Sequence, residues 1–238
     1  MNRTGATPAA GDHPDSSSTS SSVQLLGLPA DARVLILNCD DLGTHPSINA
    51  TVSAAVQQGV ASSTSLVVPC PAAGEALRLL RAAPEVPFGI HLTLTRDGPA
   101  HRWAPISAPA QVPSLVDEHG LAARVWLDPA RSAARRRGLP VLDHEFVDSF
   151  ALDVDGEAER YLQLLRELPA GLSEWAVHPA VGPETAAEAD LGWAVRRSDH
   201  DFLLSPRARE VLEEEGIVVL DHRPSREVWN AAGATREQ

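Results

Sequence analysis

Residues 34–43 read Val-Leu-Ile-Leu-Asn-Cys-Asp-Asp-Leu-Gly. The predicted architecture of the protein is built around this stretch. An uninterrupted apolar run of strand-forming residues ends there on two adjacent carboxylates, Asp40 and Asp41, followed closely by a glycine. Such a run is typical of a buried parallel strand, and in α/β proteins the carboxyl ends of these strands carry the active site. Adjacent Asp residues also favour turns and helix starts, so the rest of the chain must decide between a turn and a site.

Strands and helices alternate after this stretch. Pro46 starts a segment with apolar residues at helical spacing that ends near Gly59, and an apolar β-branched run over residues 63–68 follows as a strand. This order predicts an α/β protein whose parallel strands are joined by helical crossovers. The same patterns predict helices over residues 72–81, 155–168, 184–197 and 206–215, and strands over residues 87–95, 139–142, 173–178 and 217–220.

Two histidines fall on polar faces or ends of the predicted strands. Residues 87–95 alternate strictly and place His91 on their polar face, while His178 lies at the carboxyl end of a later strand. A lone histidine is more often a core residue satisfied by one hydrogen bond. Because the carboxyl ends of parallel strands meet at one edge, we nevertheless expect both histidines near Asp40 and Asp41.

One carboxylate and neutral imidazoles suit a divalent cation, with Zn²⁺ a better match to histidine than Mg²⁺. Such an ion acidifies a bound water and polarises a carbonyl, which is the chemistry of amide or ester hydrolysis. A remaining carboxylate would then serve as general base and a remaining histidine as general acid.

Composition narrows the class of protein. The 238 residues carry a formal net charge of -12, which argues against a nucleic-acid or anionic-membrane partner. Only Cys39 and Cys70 are present, so a disulfide framework and a Cys-type zinc site are excluded. Residues 1–30 are expected to be a disordered tail rather than a signal peptide, residues 31–230 one domain, and residues 231–238 a frayed end. A cytoplasmic protein is the simplest expectation.

At the residues above, the chain resembles the YdjC-like carbohydrate deacetylase family. The resemblance implies a distorted (β/α) barrel that removes acetyl groups from N-acetylated sugars with a divalent metal, Mg²⁺ or Zn²⁺. It also implies that Asp40 is the general base, that Asp41 and His91 are metal ligands, and that His178 assists as acid. The matching stretches read ILNCDDLGTHPSIN, GVASSTSLVV, FGIHLTLT, PSLVDEHG and SEWAVHPAV, the last followed by Trp193 to Arg197.

The chain departs from the family in one segment. The family has a further βα unit with a Thr-His-Leu-Asp-Ser-His type motif that supplies a metal histidine, whereas residues 127–137 here join the flanking segments directly. We therefore expect a barrel that is incomplete by one βα unit. Its edges would be covered by the Pro-rich segment over residues 96–131 or by a second copy in a homodimer. His144 is a candidate replacement ligand, although its triplet with Asp143 and Glu145 is expected to be a loop.

Three functions remain open at this point. The first is metal-dependent hydrolysis of the acetamide of a small N-acetylated saccharide, which releases acetate. The alternative is a catalytically impaired, truncated relative that binds a saccharide without turnover. A third is hydrolysis of another acyl or phosphate ester, although the sequence has neither a Gly-rich phosphate loop nor a Gly-x-Ser-x-Gly elbow.

Overall fold

The computed structural model describes residues 20–92, 111, 133–152, 157–182 and 192–234. In these ranges the chain forms an α/β fold with one parallel sheet and helices packed against it. The strands are β1 (Arg33–Leu42), β2 (Ser63–Leu66), β3 (Phe88–Ile90), β4 (Val147–Asp148), β5 (Gly171–Val177) and β6 (Val218–Val219). The helices are α1 (Ser22–Leu25), α2 (Pro46–Gln57), α3 (Ala73–Ala82), α4 (Glu157–Arg166), α5 (Trp193–Leu203), α6 (Pro206–Glu214) and α7 (Arg223–Ala234), with a 3-10 turn at Ser149–Ala151.

Strand β1 is the centre of the sheet, whose order is β3-β2-β1-β5-β4 with β6 also paired to β1. On one side β1 pairs with β5 from Arg33 opposite Gly171 to Cys39 opposite Val177. Its other side is divided, because β6 pairs near Val34 and β2 pairs from Asn38 onward. The carboxyl end of β1 therefore lies between β2 and β5.

The two faces of the sheet have different chemistry. One face is apolar and lies under the helices, with Leu35, Leu37 and Trp175 fully buried there. Tyr161 on α4 and Phe202 on α5 contact Trp175 from the helical layer, with ring centroids 4.9 and 5.7 Å away. The opposite face carries Val34, Ile36, Asn38 and Asp40 from β1, with Leu172, Glu174 and Ala176 from β5, because side chains alternate along each strand.

Local sequence signals explain where several helices begin and end. Pro46 is the first residue of α2, and Ser205 caps α6 by accepting a hydrogen bond from the Ala208 amide at 3.1 Å. Gly59 follows α2 where a Cβ would lie 2.6 Å from the carbonyl oxygens of Ala55 and Leu203, so the contact between α2 and α5 requires glycine.

Several predicted elements are corrected. Residues 139–142 do not form a strand, and the neighbouring strand is β4 instead. The hydroxyl of Ser22 bonds both backbone groups of Val141, at 2.5 Å to the oxygen and 3.1 Å from the amide, so these groups do not pair with a strand. Helix α5 continues to Leu203 rather than ending at Arg197, because its later residues bury Phe202 against Trp175.

The ends of the domain also differ from the prediction. Residues 20–30 are not a disordered tail, since α1 buries Val23 completely against Val34, Ile36 and Leu172. Helix α7 extends to Ala234, so residues 231–234 are helical rather than frayed, and residues 235–238 lie outside the described residues. The Pro-rich segment over residues 96–131 lies outside the described residues except for residue 111, and residues 1–19 lie outside them as well.

The predicted strand over residues 87–95 is shorter than expected and less buried. Strand β3 covers Phe88–Ile90, and Ile90 and Leu92 are 57% and 70% exposed rather than in a core. Residues 93–95 lie outside the described ranges. In the part of the chain that the structure describes, no helix is both long enough and apolar enough to cross a membrane.

Candidate active site

Asp40 is the centre of a polar cluster at the carboxyl end of β1. Its Oδ1 accepts hydrogen bonds from Asn38 Nδ2 and Ser65 Oγ, both at 2.6 Å. Ser65 Oγ also lies 2.9 Å from His91 Nδ1, which is 3.7 Å from Asp40 Oδ1. On the other side, His178 Nε2 lies 3.9 Å from Asp40 Oδ2. The structure thus brings His91 and His178 to opposite sides of one carboxylate.

The environment of Asp40 favours its ionised form. Burial acts to raise its pKa, but the polar contacts of His91 and Ser65, followed by the charges of His91 and His178, hold the pKa below the ordinary value. The side chain is 18% exposed, so water can reach it. Asp40 is therefore an ionised carboxylate at neutral pH that can accept a proton from a water or a substrate.

Asp41 points away from this cluster into an ion pair. Its Oδ2 lies 2.8 Å from Arg196 Nη2, and both side chains are buried. The backbone of Asp41 has φ of 68°, the left-handed conformation that Asp adopts more readily than most residues. Its carbonyl accepts hydrogen bonds from the Thr44 amide at 3.1 Å and the Thr44 hydroxyl at 2.8 Å, which close the turn into α2. The two adjacent carboxylates therefore have different partners.

His178 lies in a buried hydrogen-bond network. Its Nδ1 is 3.0 Å from Ser149 Oγ, and Ser149 Oγ donates to Asp199 Oδ2 at 2.7 Å. The backbone amide of His178 donates to the same Asp199 oxygen at 2.7 Å, and the Tyr161 hydroxyl donates to Asp199 Oδ1 at 2.7 Å. The ring of Phe150 lies against the imidazole with centroids 4.2 Å apart. These contacts from several elements fix the position of the ring.

His144 is not brought to this cluster. Its Nε2 lies 2.9 Å from the carbonyl oxygen of Ala170, beside the first residue of β5, whereas His178 follows the last residue of that strand. A seven-residue strand spans roughly 20 Å at about 3.3 Å per residue. The prediction of His144 as a replacement ligand is therefore corrected, because it lies toward the amino end of the sheet. Its triplet is a loop that Asp143 anchors through the Leu172 amide at 2.9 Å.

A metal ion held by the protein alone needs at least three converging ligands. Within residues 20–92, 133–152, 157–182 and 192–234, no group of three or more His, Cys, Asp or Glu side chains is placed to hold one. Asp41 already pairs with the Arg196 guanidinium, and His91 Nδ1 faces Ser65. The described residues do not fit a site with three protein ligands.

A second polar pair lies on the same sheet face, closer to its amino edge. Glu174 Oε1 is 3.7 Å from His222 Nε2, and burial, followed by the charge of Asp40, raises the pKa of Glu174 to about 7. Both residues line a cleft of about 310 Å³ together with Trp229, whose Nε1 donates to the Pro140 oxygen at 2.9 Å. The polar face of the sheet thus continues from Asp40 into a cleft.

Sequence reasoning missed five polar residues of the site: Asn38, Ser65, Ser149, Arg196 and Asp199. Asn38 was recoverable, since it precedes Asp40 by two residues and therefore shares its face of β1. Arg196 and Asp199 are three residues apart on α5 and both are buried, which is rare for charged side chains unless they are paired. The partners of Arg196 and Asp199 include Asp41 and Ser149, which are remote in the sequence. The three-residue spacing of two charged side chains on one helix was therefore the signal that the sequence offered.

Residues 34–133 match the family model described as YdjC-like protein, which confirms the resemblance over this range. A carbohydrate deacetylase of Thermoanaerobacter pseudethanolicus is 31% identical over 133 residues, which cover 56% of this chain and 46% of the relative. A chitooligosaccharide deacetylase of Serratia marcescens is 35% identical over 120 residues, which cover 50% of this chain and 43% of the relative. The chain thus spans less than half the length of these two relatives.

A longer but weaker match is a chitooligosaccharide deacetylase of Klebsiella pneumoniae, 27% identical over 203 residues that cover 79% of this chain and 75% of the relative. Among solved structures, a candidate cellobiose-phosphate cleavage protein of Enterococcus faecalis is similar with a TM-score of 0.62 and 23% identity. The superposition covers 80% of this chain and 98% of that protein. This likeness supports a barrel-like α/β fold.

Proposed function

Since the chain is YdjC-like over residues 34–133, we propose that it hydrolyses the acetamide of a small N-acetylated saccharide and releases acetate. The observation that carries this proposal is the arrangement of Asp40 between two histidines at one strand end, 3.7 Å from His91 and 3.9 Å from His178. The curated relatives named carbohydrate and chitooligosaccharide deacetylases point to the same substrate class.

The arrangement suits general acid–base catalysis of amide hydrolysis. In the proposed reaction a water attacks the acetyl carbon while Asp40, held ionised by its surroundings, accepts the proton of that water. The tetrahedral centre then collapses and the C–N bond breaks, while Asp40 passes the proton it took from the water to His178 Nε2, which delivers it to the leaving amine. Acetate and the free amino sugar are the products, so one water is consumed in each turnover.

A divalent cation, Mg²⁺ or Zn²⁺, is a separate part of the proposal that comes from the resemblance. Such an ion would polarise the acetyl carbonyl. Its candidate ligands among the described residues are Asp41 and His91, which is fewer than three, and Asp41 pairs with Arg196. No step of the reaction above is therefore assigned to a metal.

The proposal is tested by measuring acetate release from N-acetylglucosamine and its β-1,4-linked dimer, with and without added Mg²⁺ or Zn²⁺. Asp40→Asn keeps the size of the side chain and removes the base, so we expect a loss of about 10²-fold or more in kcat. Asp201→Asn is the matched control, because Asp201 is an exposed residue of α5. Equal rates for wild type and Asp40→Asn, or no acetate release under any condition, would overturn the proposal.

One observation favours the second candidate, a relative that binds a saccharide without turnover. The ion pair between Asp41 and Arg196 occupies a carboxylate that the resemblance assigns to a metal. For this candidate, the saccharide raises the midpoint of thermal unfolding while no acetate appears at any metal concentration. Acetate release that depends on Asp40 would contradict it.

A further inference from the structure

We propose that Asp199, acting through Ser149, is a positioning residue that holds the imidazole of His178 with its proton on Nδ1 and its lone pair on Nε2, the atom facing Asp40. The catalytic meaning of this tautomer rests on the proposed function, in which Nε2 exchanges a proton at the reacting site. The tautomer itself is a property of the protein without substrate.

The geometry places all the partners in one closed network. Ser149 Oγ lies between His178 Nδ1 at 3.0 Å and Asp199 Oδ2 at 2.7 Å. Ser149 and Asp199 are fully buried and His178 is 7% exposed, so bulk water does not replace these bonds. Asp199 comes from α5, Ser149 from the 3-10 turn and Tyr161 from α4. The 3-10 turn lies beside β5, and both helices contact Trp175 of β5 through Tyr161 and Phe202.

Counting donors determines the direction of each hydrogen bond. The backbone amide of His178 can only donate, and it donates to Asp199 Oδ2. Burial raises the pKa of Asp199, whereas the hydrogen bonds from the His178 amide, Tyr161 and Ser149 oppose that rise and favour the ionised form. With Asp199 ionised, the carboxylate only accepts, so the hydroxyls of Ser149 and Tyr161 must both donate to it. Ser149 has then used its single proton, and its oxygen can only accept from His178. The proton of the neutral imidazole is therefore on Nδ1, which leaves Nε2 as an acceptor.

The other charged groups around His178 do not compete for Nδ1. Asp148 Oδ1 is 3.9 Å from Nδ1, beyond hydrogen-bond distance, and accepts from the Phe150 amide at 2.9 Å. Asp40 lies on the Nε2 side of the ring. Arg196 Nη1 donates to the backbone oxygen of His178 at 3.4 Å and not to its ring. The Phe150 ring against the imidazole restricts exchange of the two ring nitrogens by rotation.

In this proposal Asp199 sets the tautomer of His178 in addition to binding its backbone amide. A purely structural carboxylate would satisfy the His178 amide and the Tyr161 hydroxyl, and its loss would lower stability without changing where the imidazole proton resides. A positioning residue changes the tautomer when its acceptor character is removed. The location of the proton on His178 therefore separates the two roles.

The test uses the full chain labelled with ¹⁵N-histidine and long-range ¹H–¹⁵N correlation NMR, which distinguishes a protonated ring nitrogen from a lone pair. Spectra are recorded about two pH units above 6.5, where an ordinary histidine is neutral. The His178 signals are assigned by their absence in His178→Gln. In the wild type we expect a protonated Nδ1 and an unprotonated Nε2.

Three variants then separate the links of the network. Asp199→Leu keeps much of the side-chain volume but removes the acceptor, which frees the Ser149 proton for Nδ1 and moves the imidazole proton to Nε2. Ser149→Ala removes the link and gives a mixture of tautomers. Tyr161→Phe is the control, since it leaves the link between Asp199, Ser149 and His178 in place and keeps the wild-type tautomer. Circular dichroism verifies that each variant is folded.

A wild-type His178 protonated on Nε2, or a folded Ser149→Ala with an unchanged pure Nδ1–H tautomer, would overturn the proposal. These outcomes do not depend on acetate release, so they are distinct from a failure of the proposed function. If both proposals hold, Ser149→Ala lowers kcat by roughly 10-fold to 100-fold with little change in KM, a part of the roughly 10²–10⁴-fold that acid–base catalysis contributes.

Discussion

The two sides of Asp40 are built differently. On the β5 side, the side chain of His178 is 9% exposed and bonds through Ser149 into a buried network. On the β3 side, the side chain of His91 is 26% exposed, and its neighbours Ile90 and Leu92 are mostly exposed. One histidine is thus held by the core, whereas the other follows a short strand with little apolar burial.

This difference indicates which half of the site is rigid before a substrate arrives. Groups held by several buried contacts lose little freedom on binding, so they suit proton transfer that depends on distance. A histidine on an exposed edge can adjust to a ligand. We therefore infer that His178, on the β5 side, is held in a fixed position and that His91, on the β3 side, can shift to fit a ligand. Four measurements can challenge this comparison.

The largest expected contrast is in packing. Trp175 on β5 is fully buried against Tyr161 and Phe202, so Trp175→Ala should lower the free energy of unfolding by about 3–5 kcal/mol. Ile90→Ala on β3 should cost less than about 1 kcal/mol, because the side chain is already 57% exposed. Urea unfolding followed by circular dichroism measures both, and similar costs would contradict the comparison.

The next effect concerns the buried ion pair between Asp41 and Arg196. Arg196→Met leaves the Asp41 carboxylate buried without its guanidinium, which should cost about 3 kcal/mol or more of stability. Adding Asp41→Asn should recover much of that loss, because the remaining group is then neutral. Arg207→Met is the control, since its ion pairs are exposed and should contribute less than about 1 kcal/mol. No recovery in the double variant would show that the pair acts through packing alone.

A third effect depends on pH and comes from Glu174, whose pKa is raised from 4.5 to about 7 by burial and the charge of Asp40. The folded state holds the proton of Glu174 more tightly than the unfolded state does. The contribution of Glu174 to the free energy of unfolding is therefore highest below about pH 4.5 and falls as the pH rises toward 7. The loss should reach roughly 1–3 kcal/mol. We expect the free energy of unfolding of the wild type, relative to that of Glu174→Gln, to decrease between pH 4.5 and 8. A flat difference would show that Glu174 is not buried as described.

The smallest effect comes from two matched serines. Ser149→Ala removes a hydroxyl from the buried network of His178 and should cost about 1–3 kcal/mol, because it leaves polar atoms without a partner away from water. Ser65→Ala removes the corresponding hydroxyl beside His91, where water can replace it, and should cost about 1 kcal/mol or less. Thermal unfolding of the two variants compares them directly. A larger cost for Ser65→Ala would reverse the assignment of the rigid side.

The convergence of Asp40, His91 and His178 was predictable, because each lies at or near the carboxyl end of a predicted strand and the carboxyl ends of parallel strands meet at one edge. The start of α2 at Pro46 and the cap of α6 at Ser205 were also readable from local chemistry. These features depend on short stretches of sequence, which is why pattern reasoning reaches them.

The partners of the buried charges were not predictable in the same way. Asp41 was expected to bind a metal, but its left-handed backbone turns the side chain to Arg196, which is remote in the sequence. His144 has a side chain suited to binding a metal, but it lies in a loop that Asp143 anchors at the opposite edge of the sheet. Residue type suggests chemistry in both cases, whereas position is decided by tertiary contacts that spacing does not encode.

The divided side of β1 has a consequence for the order in which the protein folds. The carboxyl half of β1 pairs with β2, a short distance along the chain, whereas the amino half pairs with β6, which lies much later in the sequence. Local pairs close with a smaller loss of chain entropy than remote ones. The strand end that carries Asp40 can therefore pair early during synthesis, while the other end of the same strand can pair only after β6 has been made.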